Sequence, residues 1–222
     1  MKRRTLPVAA AFATLPLAAC GGASEDERSS SGDKLATTRP GAEKPERSSE
    51  RSAAPADDEA DGVDVSLPAD MDLVFDWDKP TNGNEAAATA DAANFFRAIY
   101  RGVDKRTPKD PAVTAYATGD GLSYATTQIN AWIDGGWTAT GTLRHYDATT
   151  RSTANGNSVE VAFCADSGKF YGEEIKTEKI LRTEPGIEDF DHYTLVMVKS
   201  STDPDLWQAS KVFVETKATS CR

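Results

Sequence analysis

The side chains best suited to acid–base chemistry are two histidines, each beside a carboxylate: His145-Tyr146-Asp147 and Asp191-His192. An imidazole gains and loses a proton near neutral pH, so it is the natural general base for a small-molecule substrate. Strand alternation puts His145 on the same side as Leu143 and Trp137, facing inward, and Tyr146 on the other. No partner at a fixed offset completes a catalytic constellation around His145, His192 or Asp191. The competing reading, a histidine hydrogen-bonded at a strand end or facing solvent, carries more weight.

Other chemistries find less support. Asp57-x-Glu59-x-Asp61-Gly62 has the opening of a calcium loop, but the twelfth position is Pro68, not a bidentate glutamate. Asp189, Asp191, Asp203 and Asp205 fall where turns are expected. Two histidines on different strands do not make a zinc site, so no metal is expected. Gly119-Asp120-Gly121 is too short for a phosphate-binding fingerprint and follows a helix. No serine nucleophile elbow is present, and no motif calls for a cofactor. A gentler possibility lies in the aromatics. Tyr100, Tyr116, Tyr124, Trp132, Trp137, Tyr193 and Trp207 would line a pocket for a small apolar ligand with rings and a few hydroxyls. Ordinary core packing accounts for such residues at least as readily.

The elements that would position these residues follow from periodicity. Asn82-Gly83-Asn84-Glu85 opens a helix with a capping-box-like start. Ala88, Ala92, Phe95, Phe96, Ile99, Tyr100 and Val103 form one apolar face, and Gly102 with Lys105-Arg106 marks the end. Thr107-Pro108 and Asp110-Pro111 start a short second helix through Tyr116. A third runs from about Gly121 to Asp134, along Leu122, Ala125, Ile129, Trp132 and Ile133, until Gly135-Gly136 stops it. Beyond Trp137 the period becomes that of strands. Trp137–Tyr146 leads through an Asn155-Gly156 turn to Ser158–Asp166, and Lys169 to about Arg182 follows. Tyr193–Val198 is nearly all apolar, as a strand covered on both faces would be, and Trp207–Thr219 comes last. Helices followed by successive strands predict an α+β domain and argue against a parallel βαβ one.

Ahead of this domain lies a different kind of sequence. Lys2, Arg3 and Arg4 precede an uncharged run from Leu6 to Ala19. That run is shorter than the roughly 20 residues a membrane span requires, so it predicts a secretory signal. Its end, Leu17-Ala18-Ala19-Cys20, resembles the lipobox of bacterial lipoprotein signals, which implies cleavage before Cys20 and lipid on that cysteine. An ordinary signal with an incidental cysteine is the rival, and Leu17 suits it less well. The Arg3-Arg4 pair leaves both the general secretory and the twin-arginine routes open. From Gly21 to about Pro68 the chain is Ser, Ala, Pro and charged residues, with no aromatic and few aliphatics. Such composition cannot offset its ordering entropy and predicts a disordered spacer, about 40 Å end to end as a flexible coil.

Charge and cysteines sharpen this. Removing Lys2, Arg3 and Arg4 takes the formal charge from −10 to −13. Nucleic acid is therefore excluded as a partner, and adsorption to anionic lipid is disfavoured. The membrane would be held through the lipid alone. With Cys20 assigned to lipid, Cys164 and Cys221 form an even pair in an oxidising compartment. A disulfide is the default, with two free thiols or a metal pair as alternatives.

Three helices followed by a bent antiparallel sheet resemble the NTF2-like (cystatin-like cone) superfamily, and within it uncharacterised secreted lipoproteins of high-GC Gram-positive bacteria. The matching residues are Tyr116-Ala117-Thr118-Gly119, Thr140-Gly141-Thr142-Leu143-Arg144-His145-Tyr146, Cys164-Ala165-Asp166-Ser167, the Trp207 strand and Cys221. The resemblance implies helices packed on a curved antiparallel sheet, with Cys221 stapling the last strand to Cys164. It also implies that any enzymatic site would lie inside the cone, as in dehydratases, steroid isomerases and polyketide cyclases, which place Asp, His and Tyr there. The expected organisation is a signal over 1–19, lipidated Cys20 and linker over 20–70, and the domain over 71–222. The expected role is a non-catalytic binding or interaction module of the cell envelope, on the extracytoplasmic face of the membrane, meeting an envelope protein or a small apolar ligand. The alternative is a dehydratase- or isomerase-like enzyme.

Overall fold

The computed structural model describes residues 62–222. Cys20, the signal, the spacer up to residue 61 and most of the calcium-loop-like run lie outside the described residues. Strand β1 (Met71–Asp76) is followed by helices α1 (Gly83–Asp104), α2 (Pro111–Tyr116) and α3 (Gly119–Gly135). Strands β2 (Trp137–Ser152), β3 (Ser158–Glu174), β4 (Lys179–Leu181), β5 (Phe190–Lys199) and β6 (Trp207–Thr216) complete an α+β fold. The sheet runs β1-β2-β3-β5-β6, with β4 paired to β3.

Helices packed on a sheet whose strands β2 to β6 pair antiparallel are as expected, and β1, which was not foreseen as a strand, makes the sheet mixed. β1 pairs with β2 in parallel, placing Phe75 beside His145. The helices return the chain to the end of the sheet where β1 began, and a crossover of that length is what a parallel pair needs. The packed body also begins before residue 71. Val65 is buried, and Val63 and Leu67 pack against the same core. Arg101 of α1 holds this lead-in segment, pairing with Asp64 at 2.9 Å and with Asp110 at 3.2 Å.

The helices follow their sequence signals closely. The Asn82 side chain accepts from the main-chain N–H groups of Asn84 and Glu85, and Asp110 caps α2 through Ala112 N–H. Gly136 closes α3 in the left-handed conformation. Glu85 does something the capping-box reading missed: its carboxylate takes the Ser152 hydroxyl at 2.8 Å and Thr150 at 3.1 Å, tying α1 to the far end of β2. Those bonds, Ser152 first, hold its carboxyl below the usual range.

Two glycines set the packing. Gly121 lies so close to β6 that a Cβ there would stand 2.0 Å from the Ala209 carbonyl oxygen, so α3 rests on the strand only because that atom is missing. Gly141, at φ +95°, sits in β2 where a Cβ would meet the Lys169 carbonyl at 2.2 Å. Register shifts between Thr142 and Arg144 and between Tyr146 and Thr149 bend the strand, giving the sheet its curvature. The concave face receives α1, and Phe95, Phe96, Ile99 and Val103 are buried there with Phe163, Leu195, Met197 and Trp207.

Asp91, buried on α1, accepts the Trp207 main-chain N–H at 2.7 Å, locking β6 to the helix. Asn94 donates toward Asp91 and toward the Tyr116 hydroxyl at 3.3 Å, extending the polar seam. Asp91→Ala would leave the Trp207 N–H unpaired in the interior, and a loss of about 1 to 3 kcal/mol is expected in urea unfolding. Asp91→Asn, which keeps an acceptor, should cost less.

Candidate functional site

Directly paired strand residues point to one face, so register sorts the candidates. His145, Ala165, Asp191 and Thr216 form one row across β2, β3, β5 and β6. His145 and Ala165 are buried under the helices, so Asp191 lies on that inner face as well. Tyr193, two residues along β5, shares it. From the helices above come Tyr100 of α1 and Tyr124 of α3.

These four side chains interact. Tyr193 and Tyr100 each lie within electrostatic range of Tyr124 and of Asp191. Burial pushes all three phenols above their ordinary value, with the negative charge of Asp191 adding to the shift. Burial likewise raises the Asp191 carboxyl, against a smaller opposing effect from the main chain of Lys217. The tyrosines therefore stay protonated hydroxyls, able to donate to a ligand oxygen or accept from a ligand donor. Asp191 is the one carboxyl among them, and it is held partly away from water. Trp132 and Phe170 complete the apolar wall, each edge-on to the Tyr100 ring at 6.2 and 4.9 Å between centroids.

His145 points inward as alternation requires, but it is sealed. Its ring stacks on Phe75 at 4.6 Å, with Phe96 at 5.0 Å and Phe163 at 5.6 Å. It is wholly buried, and neither nitrogen has a hydrogen-bond partner of ordinary geometry among the described residues. Desolvation lowers its pKa to about 3, against a smaller opposing effect from the main chain of Val74. A ring held neutral and walled off by aromatics is a poor general base, and the catalytic expectation for His145 is set aside. His192 fares no better. It pairs with Cys164 and Glu215 on the opposite, outer face, so the two histidines never meet.

The remaining aromatic candidates divide cleanly. Tyr100 and Tyr193 join the array, with Trp132 beside it. Tyr116 and Trp207 are both 1 % exposed and belong to the core, while Trp137, at 39 %, lies outside it at the start of β2. Phe170 escaped notice because β3 was expected to break near Asp166; the continuous strand carries it to the array.

On the outer face, Cys164 and Cys221 are joined in a disulfide with their Cα atoms 5.4 Å apart. The Tyr146 hydroxyl donates to the Cys221 carbonyl, and Arg144 lies over the Tyr146 ring. A separate cleft of about 340 Å³ opens nearby, between the Asp166–Lys169 and Pro185–Phe190 segments. Its carboxylates are already spoken for: Asp166 accepts from Gly168 N–H at 2.9 Å and Asp189 from Gly186 N–H at 2.8 Å. Asp189 and Asp166 thus act as turn formers.

No protein-family model matches the chain, and no curated protein does. Two solved structures show a distant likeness. The intermembrane space region of chloroplast protein ARC6 is 9% identical, with 62% of this chain and 99% of that one covered and a TM-score of 0.41. A protein designated a candidate ketosteroid isomerase, from Shewanella frigidimarina NCIMB 400, is 15% identical, with 60% and 98% covered and a TM-score of 0.34. At such scores neither neighbour bears on what this chain does.

Proposed function

We propose that the chain is a lipid-anchored, extracytoplasmic binding module of the NTF2-like kind, whose inner face takes a small apolar ligand carrying one hydrogen-bonding end. The observation that carries this reading is the inner face of β5, where Tyr193 packs edge-on against Phe96 and Asp191 lies two residues away, with Tyr124 beside the neighbouring Phe95 and Tyr100 on α1 within electrostatic range of Asp191. Aromatic walls with a few convergent polar groups are the usual lining of a small-molecule site. The anchor and the spacer rest on the sequence: Leu17-Ala18-Ala19-Cys20 resembles a lipobox, which would hold Cys20 at the membrane, and the spacer would supply reach. An envelope protein is the other partner such a tether suits.

The test is titration of the protein with apolar alcohols, amines and ketones, followed by tyrosine ring NMR signals. Saturable binding that weakens about tenfold in Tyr193→Phe supports the reading, since one hydrogen bond in a dry site is worth about 1 to 1.5 kcal/mol. Unchanged affinity in Tyr193→Phe and Asp191→Asn would remove it.

Asp191 also favours a second reading. A carboxyl raised by burial beside protonated hydroxyls is equipped to move a proton on a bound carbonyl compound. Asp191, not His145, would then be the base. Deuterium exchange from solvent into a bound ketone, abolished in Asp191→Asn, would mark catalysis; binding without exchange would leave the module non-catalytic.

A further inference from the structure

β6 is an edge strand, because the sheet runs β1-β2-β3-β5-β6. The first half of its outer edge is capped: Ala117 bridges to Ala209, and Thr118 N–H donates to the Ala209 carbonyl at 3.0 Å. Over residues 211–216 no main-chain hydrogen bond joins that edge to another described element. The alternate N–H and C=O groups that point away from β5 are therefore open to a further strand. The terminal arm, residues 217–222, does not cover them. It turns inward at Lys217, Ala218 N–H donates to the Phe190 carbonyl at 2.8 Å, and Cys221 joins Cys164 of β3, so the chain leaves the edge over its own sheet.

The open stretch reads Lys211-Val212-Phe213-Val214-Glu215. Lys211, Phe213 and Glu215 pair with Val196, Thr194 and His192 and share the outer face, while Val212 and Val214 pair with Leu195 and Tyr193 on the inner one. Phe213, at 57 % exposure, is the most exposed large apolar side chain among the described residues, and Val214 is exposed beside it. Neither the Lys211 nor the Glu215 side chain makes a hydrogen bond or ion pair with another described residue. A lysine on an edge strand ordinarily repels a second strand. Here it stands four residues from a glutamate, and the segment complements itself. In an antiparallel pair of two such strands centred on Phe213, Lys211 of each meets Glu215 of the other. Val212 meets Val214, and the two Phe213 rings face each other. Opposite charges then close both ends of an apolar middle. Neighbouring registers are worse. Centring on Val214 sets Lys211 against Lys217, and centring on Val212 needs the Ala209 edge, which Thr118 already occupies.

We propose that residues 211–215 of β6 are the surface through which two copies of this chain pair, strand to strand, about a two-fold axis at Phe213. The contact is isologous, and its main-chain bonds would join the two sheets into one. It does not depend on what the tyrosine array binds.

The test is charge exchange in the full chain, kept in detergent micelles so that the N-terminal segment does not itself associate. In sedimentation, the native chain should pass from monomer to dimer as concentration rises. Lys211→Glu and Glu215→Lys each place two like-charge pairs in the contact, and each alone should weaken the dimer about tenfold. Mixed, the two variants regain both attractive pairs as a heterodimer and should associate as the native chain does. Both positions are exposed, so both variants should keep the native circular dichroism. Phe213→Cys reads the register. Opposed Cα atoms in an antiparallel pair lie about 4.5 to 5.5 Å apart, within disulfide reach, so mild oxidation should link two copies at that position. A native chain that stays monomeric would overturn the proposal. So would a dimer that both charge variants retain, a mixture that does not recover the loss, or no link at position 213. A monomer whose amides over 211–215 resist hydrogen exchange would put the chain's own segment before residue 62 on the edge, and would overturn it equally.

Discussion

His145→Leu is expected to make the protein more stable, although it alters a fully buried residue. The imidazole carries two buried nitrogens without ordinary partners, and an unpaired polar group in the interior costs about 1 to 3 kcal/mol. Leucine is close in volume and brings no polar atom, so the chief loss is the stacking on Phe75. The pH dependence is the larger effect. The folded protein keeps the ring neutral down to about pH 3, while the unfolded chain takes up a proton near 6.5. The unfolded state therefore binds more protons between those values, and stability falls as pH falls across them. The ceiling of that loss is about 5 kcal/mol, at about 1.36 kcal/mol per pH unit. Urea midpoints for both proteins from pH 7 to 3.5 should show the variant's advantage widening steadily toward acid. A constant gap would mean that His145 is not held neutral.

Removing the cross-link is expected to cost about 4 kcal/mol, because Cys164 and Cys221 stand 57 residues apart and a loop of that length restricts the unfolded chain considerably. Some of the native arm should survive without it. Ala218 remains buried and the Tyr146 hydroxyl still meets the Cys221 carbonyl, so the strands should keep their register. Guanidinium unfolding of Cys164→Ala/Cys221→Ala should show a lower midpoint and a somewhat steeper slope, because the unfolded chain without the cross-link exposes more surface. A shift below about 1 kcal/mol would show that the released arm costs the unfolded chain little freedom.

The sequence made the helices easy to read because their signals are local. Asn82, Asp110 and Gly136 each act through atoms a few residues away. The parallel β1 was harder. Its six residues pair with β2 across three helices, and nothing in Met71–Asp76 tells which strand it will meet. The long β3 was read as two pieces because Asp166, Ser167 and Gly168 have turn chemistry, which the structure uses within a strand that continues to Glu174. At the site, Asp191 and Tyr193 were both candidates, yet the grouping depended on register. Alternation placed His145 inward without revealing that Phe75, from a strand not foreseen, would close over it. Residue types were legible, and their company was set by long-range pairing.

The tyrosine array is the surface on which ligand must be seen to bind. With tyrosine rings isotopically labelled, ligand titration should move the signals of Tyr100, Tyr124 and Tyr193 together with one dissociation constant. Those of Tyr116, Tyr146 and Tyr171 should stay in place. Saturable shifts in the second group with none in the first would contradict the assignment, and the function would have to be sought on the outer face.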